Sequence, residues 1–450
     1  MVMYCDLYQV KDLDEVYVAG RRMQLDKVDG DLVIEDGSVE ASSREGIIIV
    51  NGSLKCIGDC YVLGSLETND VFSTRGDLKI DGELKTGKIE VKHGSLLISG
   101  RLEATDVQVQ RELIVEGDAV ANYINSGRSL EVSETLKADR VKIGGTLNVG
   151  GDALIDYIDV GSTVKVKGRT KSRTMNVGGT VKFGGLVESD DLDVGGSVTA
   201  EDTISVGKMD VGGTVKLMGG IIERSIDAGG TLKSSEFLEF GDIDVGGTVK
   251  LSGGKGRDID VGGALSSDGN LTFENISVGG TIKIYGDGEG QNISVGGTLK
   301  TSGDLKLSER LKVGGRVSVR GDVYADEVRV GGKLRARKVD VVKLIETNTL
   351  RTKEGAKASR IEIGGRGEVY GPLIGKTVII KSRANVGDIY GDDVSLQSRS
   401  SAGRIYGRRV RIESRCDVEE ILYTETLRAD SSVRFRSPPQ KTEKLAEPPF

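Results

Sequence analysis

A short repeat marked by glycine is the feature that most constrains the fold of this chain. Between Gly144 and Gly331 a glycine-containing motif recurs every 16 to 18 residues, and the stretch from Ile243 to Leu251 shows it as IDVGGTVKL. A repeat this short cannot bury its own apolar side chains, so neighbouring repeats have to complete the core. The first glycines of the motifs are Gly144, Gly161, Gly178, Gly195, Gly212, Gly229, Gly246, Gly262, Gly279, Gly296, Gly314 and Gly331.

Apolar and polar residues alternate on both sides of each glycine motif, as expected for short strands. The aliphatic positions lie three and one residues before the first glycine and three residues after it, as in Ile243, Val245 and Val249. Asp, Thr and Lys occupy most of the positions between them, as at Asp244 and Lys250. We therefore predict that the aliphatic residues form ladders inside a β-solenoid and that the polar ladders face solvent. Glycine is expected at the corners because it accepts positive φ and lets stacked backbones approach closely.

The repeat extends beyond this region in two other forms. Residues 28–140 carry glycines six apart, such as Gly76 and Gly82, and residues 367–435 carry a 16-residue period. The predicted fold is all-β: a single long β-solenoid of about 17 residues per coil and about 24 coils, which spans residues 28–435. Residues 141–366 are its most regular part. We expect residues 1–27 to form a tail or cap, and residues 436–450 to form a disordered, Pro-rich tail.

The composition excludes several other classes of protein. Gly supplies 65 of the 450 residues and Pro only 5, which is neither collagen nor a Pro/Gly-rich coil. There is no Trp, and Phe and Tyr number 7 and 12, so the core is expected to be thin. The net charge of the whole chain is −7, from 62 Lys and Arg against 69 Asp and Glu, and this near balance argues against a nucleic-acid partner. The charge is uneven along the chain, with −16 for residues 1–300 and +9 for residues 301–450.

The N-terminal coils resemble a known family. The stretch LKIDGELKTGKIEVKHGSLLISGRLEATDVQVQRELIVEGDAV, from Leu78 to Val120, is similar to the bactofilin or polymer-forming domain in its short Leu/Val-x-Ile/Val strands and Gly-x-Leu corners. The resemblance implies a right-handed triangular β-helix that polymerises end to end without nucleotide, often near a membrane. It therefore implies a cytoskeletal, cytoplasmic protein that has copies of itself as partners. A membrane surface or another cytoskeletal protein is the further partner.

Candidate catalytic and metal-binding residues are sparse. His93 is the one histidine, and we interpret it as a polar corner residue. It leaves open a rival class, the hexapeptide acyltransferases, which are also β-helical and generally use a histidine base. Cys56 and Cys60 could place two thiols near one coil edge, but they lack the second pair that a zinc site needs, so we interpret them as buried or incidental cysteines. Few cysteines and no apparent signal peptide suggest a reducing compartment. No enzyme activity, cofactor or metal is expected.

Two groups of residues are candidates for binding. Val10, Val16 and Val18 near the start, and Ile421 and Leu427 near the end, are predicted to form end interfaces between molecules. Arg383, Arg399 and Arg415 recur every 16 residues and are predicted to stack. Such a ladder could contact an anionic surface, or it could be a solvated face neutralised by Glu413, Asp417, Glu419 and Glu420. Our leading hypothesis is a non-enzymatic filament subunit or rigid spacer, and the alternative is a β-helical binding or adhesin scaffold.

Overall fold

Parallel strands stacked at the sequence period form the whole of the described structure. The computed structural model describes residues 15–449, in which no helix occurs. Val164 pairs in register with Val181, and Val181 pairs with Val198, so each strand lies beside its equivalent 17 residues away. The predicted all-β solenoid is therefore confirmed. The chain divides into two compact units, Met1–Glu223 and Arg224–Phe450, and both are built from such coils.

Each regular coil contributes three short strand segments. In the coil after Gly161, Thr163–Val166 is one segment, and Thr170–Val177 contains two. Within the longer strand, buried and exposed side chains alternate up to Ser172 and again from Met175, with Arg173 and Thr174 both turned outward between them. This interruption of the alternation marks a corner, which gives the coil three sides.

Twenty-seven strands begin before Gly220 in the described residues. They are β1 Glu15–Ala19, β2 Arg22–Gln24, β3 Lys27–Val28, β4 Asp31–Glu35, β5 Ser38–Glu40, β6 Ile47–Ile57, β7 Cys60–Leu63, β8 Ser65–Ser73, β9 Leu78–Ile80, β10 Leu84–Lys85, β11 Lys88–Val91, β12 Leu96–Ile98, β13 Leu102–Glu103, β14 Asp106–Val109, β15 Glu112–Val115, β16 Ala119–Ser126, β17 Ser129–Val132, β18 Leu136–Ile143, β19 Thr146–Val149, β20 Ala153–Val160, β21 Thr163–Val166, β22 Thr170–Val177, β23 Thr180–Phe183, β24 Val187–Val194, β25 Ser197–Ala200, β26 Ile204–Val211 and β27 Thr214–Leu217.

The strands from Gly220 onwards follow the same pattern. They are β28 Gly220–Ala228, β29 Thr231–Ser234, β30 Leu238–Val245, β31 Thr248–Leu251, β32 Gly254–Lys255, β33 Asp258–Val261, β34 Ala264–Ser267, β35 Leu271–Thr272, β36 Asn275–Val278, β37 Thr281–Ile284, β38 Gly288–Val295, β39 Thr298–Thr301, β40 Leu305–Val313, β41 Arg316–Val319, β42 Val323–Tyr370, β43 Leu373–Ile380, β44 Asn385–Val386, β45 Ile389–Leu396, β46 Ser401–Ile412, β47 Asp417–Ala429, β48 Arg434–Phe435 and β49 Gln440–Lys441. At 48 residues β42 is longer than two coils, so its pairing continues around corners.

The core consists of the aliphatic ladders that the repeat predicts. Ile243, Val245 and Val249 are at most 2% exposed, and their equivalents in the neighbouring coils are also buried. Asp244 and Lys250 are exposed, as predicted. Burying an aliphatic side chain of this size stabilises the fold by about 1.5–3 kcal/mol. Because each coil covers its neighbour, the ladders supply the cohesion that a single repeat lacks.

Of the two reasons predicted for glycine at the regular corners, close approach of backbones applies and positive φ does not. The first glycine of each motif, for example Gly178, does not have positive φ. A Cβ atom on Gly178 would lie 2.3 Å from the carbonyl oxygen of Gly161 in the preceding coil. Close approach between coils therefore excludes side chains at these corners, and the predicted positive φ is wrong for them.

The coils also begin earlier and end later than predicted. Residues 15–27, assigned to a tail or cap, include β1 and β2, which pair with β4 and β5 in register. At the other end, where disorder was expected after residue 435, β49 pairs with Leu422 and Tyr423 of β47. Both segments lack the glycine motif, and strand pairing alone incorporates them into the stack.

Candidate functional site

A corner made of serine and arginine replaces the glycine motif in the last coils. Glu368 pairs with Asn385, Asn385 with Ser401, and Ser401 with Asp417, in parallel register. The residues two positions earlier therefore occupy equivalent places at one corner of successive coils. These residues are Arg366, Arg383, Arg399 and Arg415. The predicted stacking of Arg383, Arg399 and Arg415 is thus present, and Arg366 is a fourth member that the sequence pattern did not indicate.

The backbone of these four arginines is left-handed. Their φ angles are 60° at Arg366, 66° at Arg383, 62° at Arg399 and 59° at Arg415. Only two other described residues that are not glycine have positive φ, Asp36 and His93. For a residue with a Cβ atom, this conformation costs about 1–2 kcal/mol.

Arg383, Arg399 and Arg415 are exposed and lack anionic partners. None of these three, nor Arg366, forms an ion pair within residues 15–449. Two of the acidic residues expected to neutralise them have other partners. Glu413 accepts hydrogen bonds from the backbone N–H and the hydroxyl of Ser398, at 3.1 and 3.0 Å, and Glu419 pairs with Arg436 at 3.2 Å. The four arginines, which we call the arginine corner, therefore form no direct ion pair, and the carboxylates of Glu413 and Asp430 lie one hydroxyl away, at Ser398 and Ser432.

A groove of about 650 Å³ lies along the arginine corner. Only serine and arginine side chains line it, with neither a carboxylate nor an aromatic ring: Ser382, Arg383, Ser398, Arg399, Ser414, Arg415 and Ser432. Part of the serine set is already engaged, because Ser432 Oγ accepts a hydrogen bond of 2.8 Å from the backbone N–H of Arg415. The guanidinium groups are the donors that remain available for an anion.

Other arginines of the same coils form ordinary ion pairs. Arg409 donates to Asp393 at 2.5 and 2.6 Å, and Arg404 donates to Asp388 at 2.5 Å. The hydrogen bond from Arg409 lowers the pKa of Asp393, and the hydrogen bond from Arg408 lowers the pKa of Glu425. All four arginines of the corner lack an ion pair in the described residues, whereas Arg404, Arg408 and Arg409 of the same coils each have one.

A smaller hollow of about 300 Å³ marks the place where Asn348 stands at the position of the first glycine of the motif, 17 residues after Gly331. The Asn348 side chain donates a hydrogen bond of 2.7 Å to the carbonyl oxygen of Gly331 in the coil before. The amide thus occupies the space at a corner that otherwise requires glycine. This hollow is explained by corner packing.

The last full coil leaves part of its strand edge unpaired. β47 pairs along its length with β46, but on its other side β48 and β49 contact only Asp417, Val418, Leu422 and Tyr423. Residues 425–429 have no strand on that side within the described part of the chain. Leu427 continues the buried ladder of Val394 and Val410 but is only half-buried. An open strand edge beside an incompletely covered apolar residue is a natural place for another strand to pair.

The remaining candidate interface residues lie in different environments. Val16 and Val18 belong to β1 and are 7% and 0% exposed, while Ile421 is also 0% exposed. A second molecule cannot reach Val18 or Ile421 in this conformation, because strand stacking has buried them. Val10 lies outside the described residues. Leu427 is therefore the accessible member of the predicted end interface.

The cysteines and the histidine have structural positions. Cys56 and Cys60 form a disulfide with their Cα atoms 6.1 Å apart, so burial was predicted correctly, whereas the expectation of two thiols was wrong. Gly58 between them has a φ of 78°, and this turn brings the two cysteines together. His93 is an exposed corner residue with a φ of 62°. Within residues 15–449 no group of three or more His, Cys, Asp or Glu side chains is arranged to hold a metal ion.

Comparisons with protein-family models, curated proteins and solved structures found no match. The resemblance to bactofilins therefore stays a prediction from the residue pattern.

In the described part of the chain, no helix has the length and apolarity needed to span a membrane.

Proposed function

We propose that this protein is a non-enzymatic structural protein whose molecules associate through the ends of their stacked coils. The observation that carries the proposal is the open edge of β47 at residues 425–429, next to the half-buried Leu427. Unpaired backbone groups on such an edge can hydrogen-bond to a strand of another molecule, and Leu427 supplies apolar contact. A filament subunit in the manner of bactofilins is the form of assembly that we favour.

Charge favours a heterologous contact between unlike ends. Residues 301–450 carry a net charge of +9 and residues 1–300 carry −16, so opposite ends attract one another during encounter. A heterologous interface whose rotation does not close on itself produces open chains of molecules, and this is the form that we propose. Association with a membrane surface or another cytoskeletal protein belongs to the same proposal. The cytoplasmic location expected from the sequence conflicts with the disulfide between Cys56 and Cys60, which a reducing compartment does not favour.

Sedimentation velocity over a range of protein concentrations tests end association. We expect the sedimentation coefficient of the intact protein to increase with concentration. Leu427→Lys should reduce this increase because it places a charge at the open edge. Val342→Lys is the matched control, since Val342 is 62% exposed on β42, away from β47. Equal behaviour of the two variants, or a single species at all concentrations for the intact protein, would contradict the proposal.

A second candidate function is a binding scaffold. The observation that favours it is the groove of the arginine corner, whose arginines lack ion pairs and adopt a strained backbone that has no evident role in folding. Assembly at the ends and binding at a corner use different surfaces, so one does not exclude the other.

A further inference from the structure

The arginine corner places one guanidinium on each of four successive coils. The register of the strands holds the corresponding backbone positions about 4.8 Å apart from one coil to the next. Stacked strands keep this spacing along a straight line. The corner therefore presents a straight row of positive charges rather than a compact cluster.

Arginine is an unfavourable residue for the left-handed backbone conformation of these four positions. Elsewhere in the described chain, glycine occupies similar left-handed positions, as at Gly20 with a φ of 61° and Gly46 with a φ of 67°. Glycine adopts this conformation without strain, whereas arginine does not. Four arginines in such positions, all without an ion pair, indicate that the side chain rather than the backbone is what the position requires.

The composition of the groove indicates the chemistry of its ligand. Guanidinium groups bind oxyanions through paired N–H donors, and phosphate is a preferred partner. No carboxylate lines the groove itself, since Glu413 and Asp430 lie behind the hydroxyls of Ser398 and Ser432, and the groove lacks the aromatic rings on which unpaired bases or sugars stack. Its lining therefore matches a chain of oxyanions without bases.

The shape of the row distinguishes among polyanions. In a nucleic-acid duplex the phosphates of one strand wind around the helix axis. Only a few consecutive phosphates could therefore stay close to a straight row of arginines. A lipid surface is flat, whereas the arginines lie beside a groove of about 650 Å³. An extended, flexible chain of phosphates can follow both the row and the groove.

We infer that the arginine corner binds a linear, base-free phosphate polymer, which lies across successive coils in the groove of Arg383, Arg399 and Arg415. Arg366 extends the row by one coil. This binding is independent of the proposed end association, because the corner and the open edge of β47 are different surfaces.

Binding of inorganic polyphosphate to the full-length protein tests the inference. We expect saturable binding whose logarithmic salt dependence has a slope of about −2, as for three contacts at about 0.7 each on a single strand. The triple variant Arg383→Gly, Arg399→Gly, Arg415→Gly should weaken binding by at least about tenfold and reduce the magnitude of the slope to about 0.7 or less, since only Arg366 of the row remains. Glycine suits the left-handed corners, so this variant should keep its thermal stability.

The matched control is the triple variant Arg404→Gln, Arg408→Gln, Arg409→Gln, which removes the same charge from ion-paired arginines of the same coils. It should weaken binding by less than about threefold. A second corner variant is Arg383→Asn, Arg399→Asn, Arg415→Asn. It replaces the glycine variant if that variant fails to fold, since asparagine also tolerates positive φ.

Two sets of results would overturn the inference. Equal loss of binding in the corner variant and in the control would show attraction to overall charge only. Tighter binding of a single-stranded oligonucleotide, of a sulfated polysaccharide or of vesicles with anionic lipid than of polyphosphate would show that the ligand belongs to another class.

Discussion

A Cβ atom added to Gly262 would lie 2.4 Å from the carbonyl oxygen of Gly246, one coil earlier. Neither glycine has positive φ, so close approach between coils is what requires glycine there. The stacked architecture therefore depends on the absence of a single carbon atom at each such corner.

Gly262→Ala should accordingly destabilise the protein. The added methyl group meets backbone, which cannot move away without disturbing the strands, and overpacking of this kind costs about 1–3 kcal/mol. Gly387→Ala is the control, because its Cβ would lie 3.7 Å from the nearest backbone oxygen. Urea melts of the two variants provide the measurement, and similar midpoints would argue against close approach as the reason for the glycine repeat.

Val245→Asp and Asp244→Asn test the alternation of core and surface. Val245 has no exposed surface and pairs with Val261, so a carboxylate there would be buried without a partner, at a cost of several kcal/mol. Asp244 is exposed, and the change to Asn should alter stability by less than about 0.5 kcal/mol. Thermal melts in which the two variants were equally stable would contradict the register.

Val245 and Asp244 also show which features of the fold can be predicted from the sequence. Strand alternation and a fixed period determine which residues are buried, and Val245 and Asp244 were placed correctly for that reason. Val16 and Val18 also alternate with polar residues, but without a glycine motif beside them the pattern predicts only a tail or cap at the first coil. The left-handed backbone of Arg383 and the pairing of Cys56 with Cys60 depend on how corners turn in three dimensions, which the pattern of residue types does not encode.

The ion pairs near the C-terminus should make stability depend on acid. Arg409 lowers the folded-state pKa of Asp393 through its hydrogen bond, so the pair stabilises the fold above the unfolded carboxyl pKa of about 3.9. This contribution is lost as the pH falls through the folded-state pKa. The melting temperature of Arg409→Gln should therefore approach that of the unmodified protein as the pH falls below about 4.

Arg411→Gln is the control for this pH dependence, because Arg411 is exposed and forms no ion pair in the described residues. Its melting temperature should stay parallel to that of the unmodified protein over the same range. A constant difference between Arg409→Gln and the unmodified protein at all pH values would contradict the role of the Asp393 pair.

The three described cysteines should differ in reactivity. Burial raises the pKa of the Cys416 thiol, whose sulfur donates a hydrogen bond of 3.2 Å to the carbonyl oxygen of Gln397. Few thiolates form at pH 8, so iodoacetamide should label Cys416 only after unfolding. Cys56 and Cys60 should become labelled only after reduction. Mass spectrometry of the alkylated protein measures both, and rapid labelling of Cys416 in the folded protein would be inconsistent with its burial.

The C-terminal tail should limit association at the open edge. β49 pairs with Leu422 and Tyr423 and so covers part of β47. Removal of residues 437–450 would uncover this part and should therefore lengthen assemblies, which static light scattering can measure. Assemblies of unchanged or shorter length would show that the tail does not cap the edge.

Negative-stain electron microscopy of the intact protein tests the central proposal most directly. End association predicts chains of molecules one molecule wide, whose length increases with protein concentration and which Leu427→Lys converts to single particles. Single particles for the intact protein at every concentration, with the same images for Leu427→Lys, would contradict end-to-end assembly.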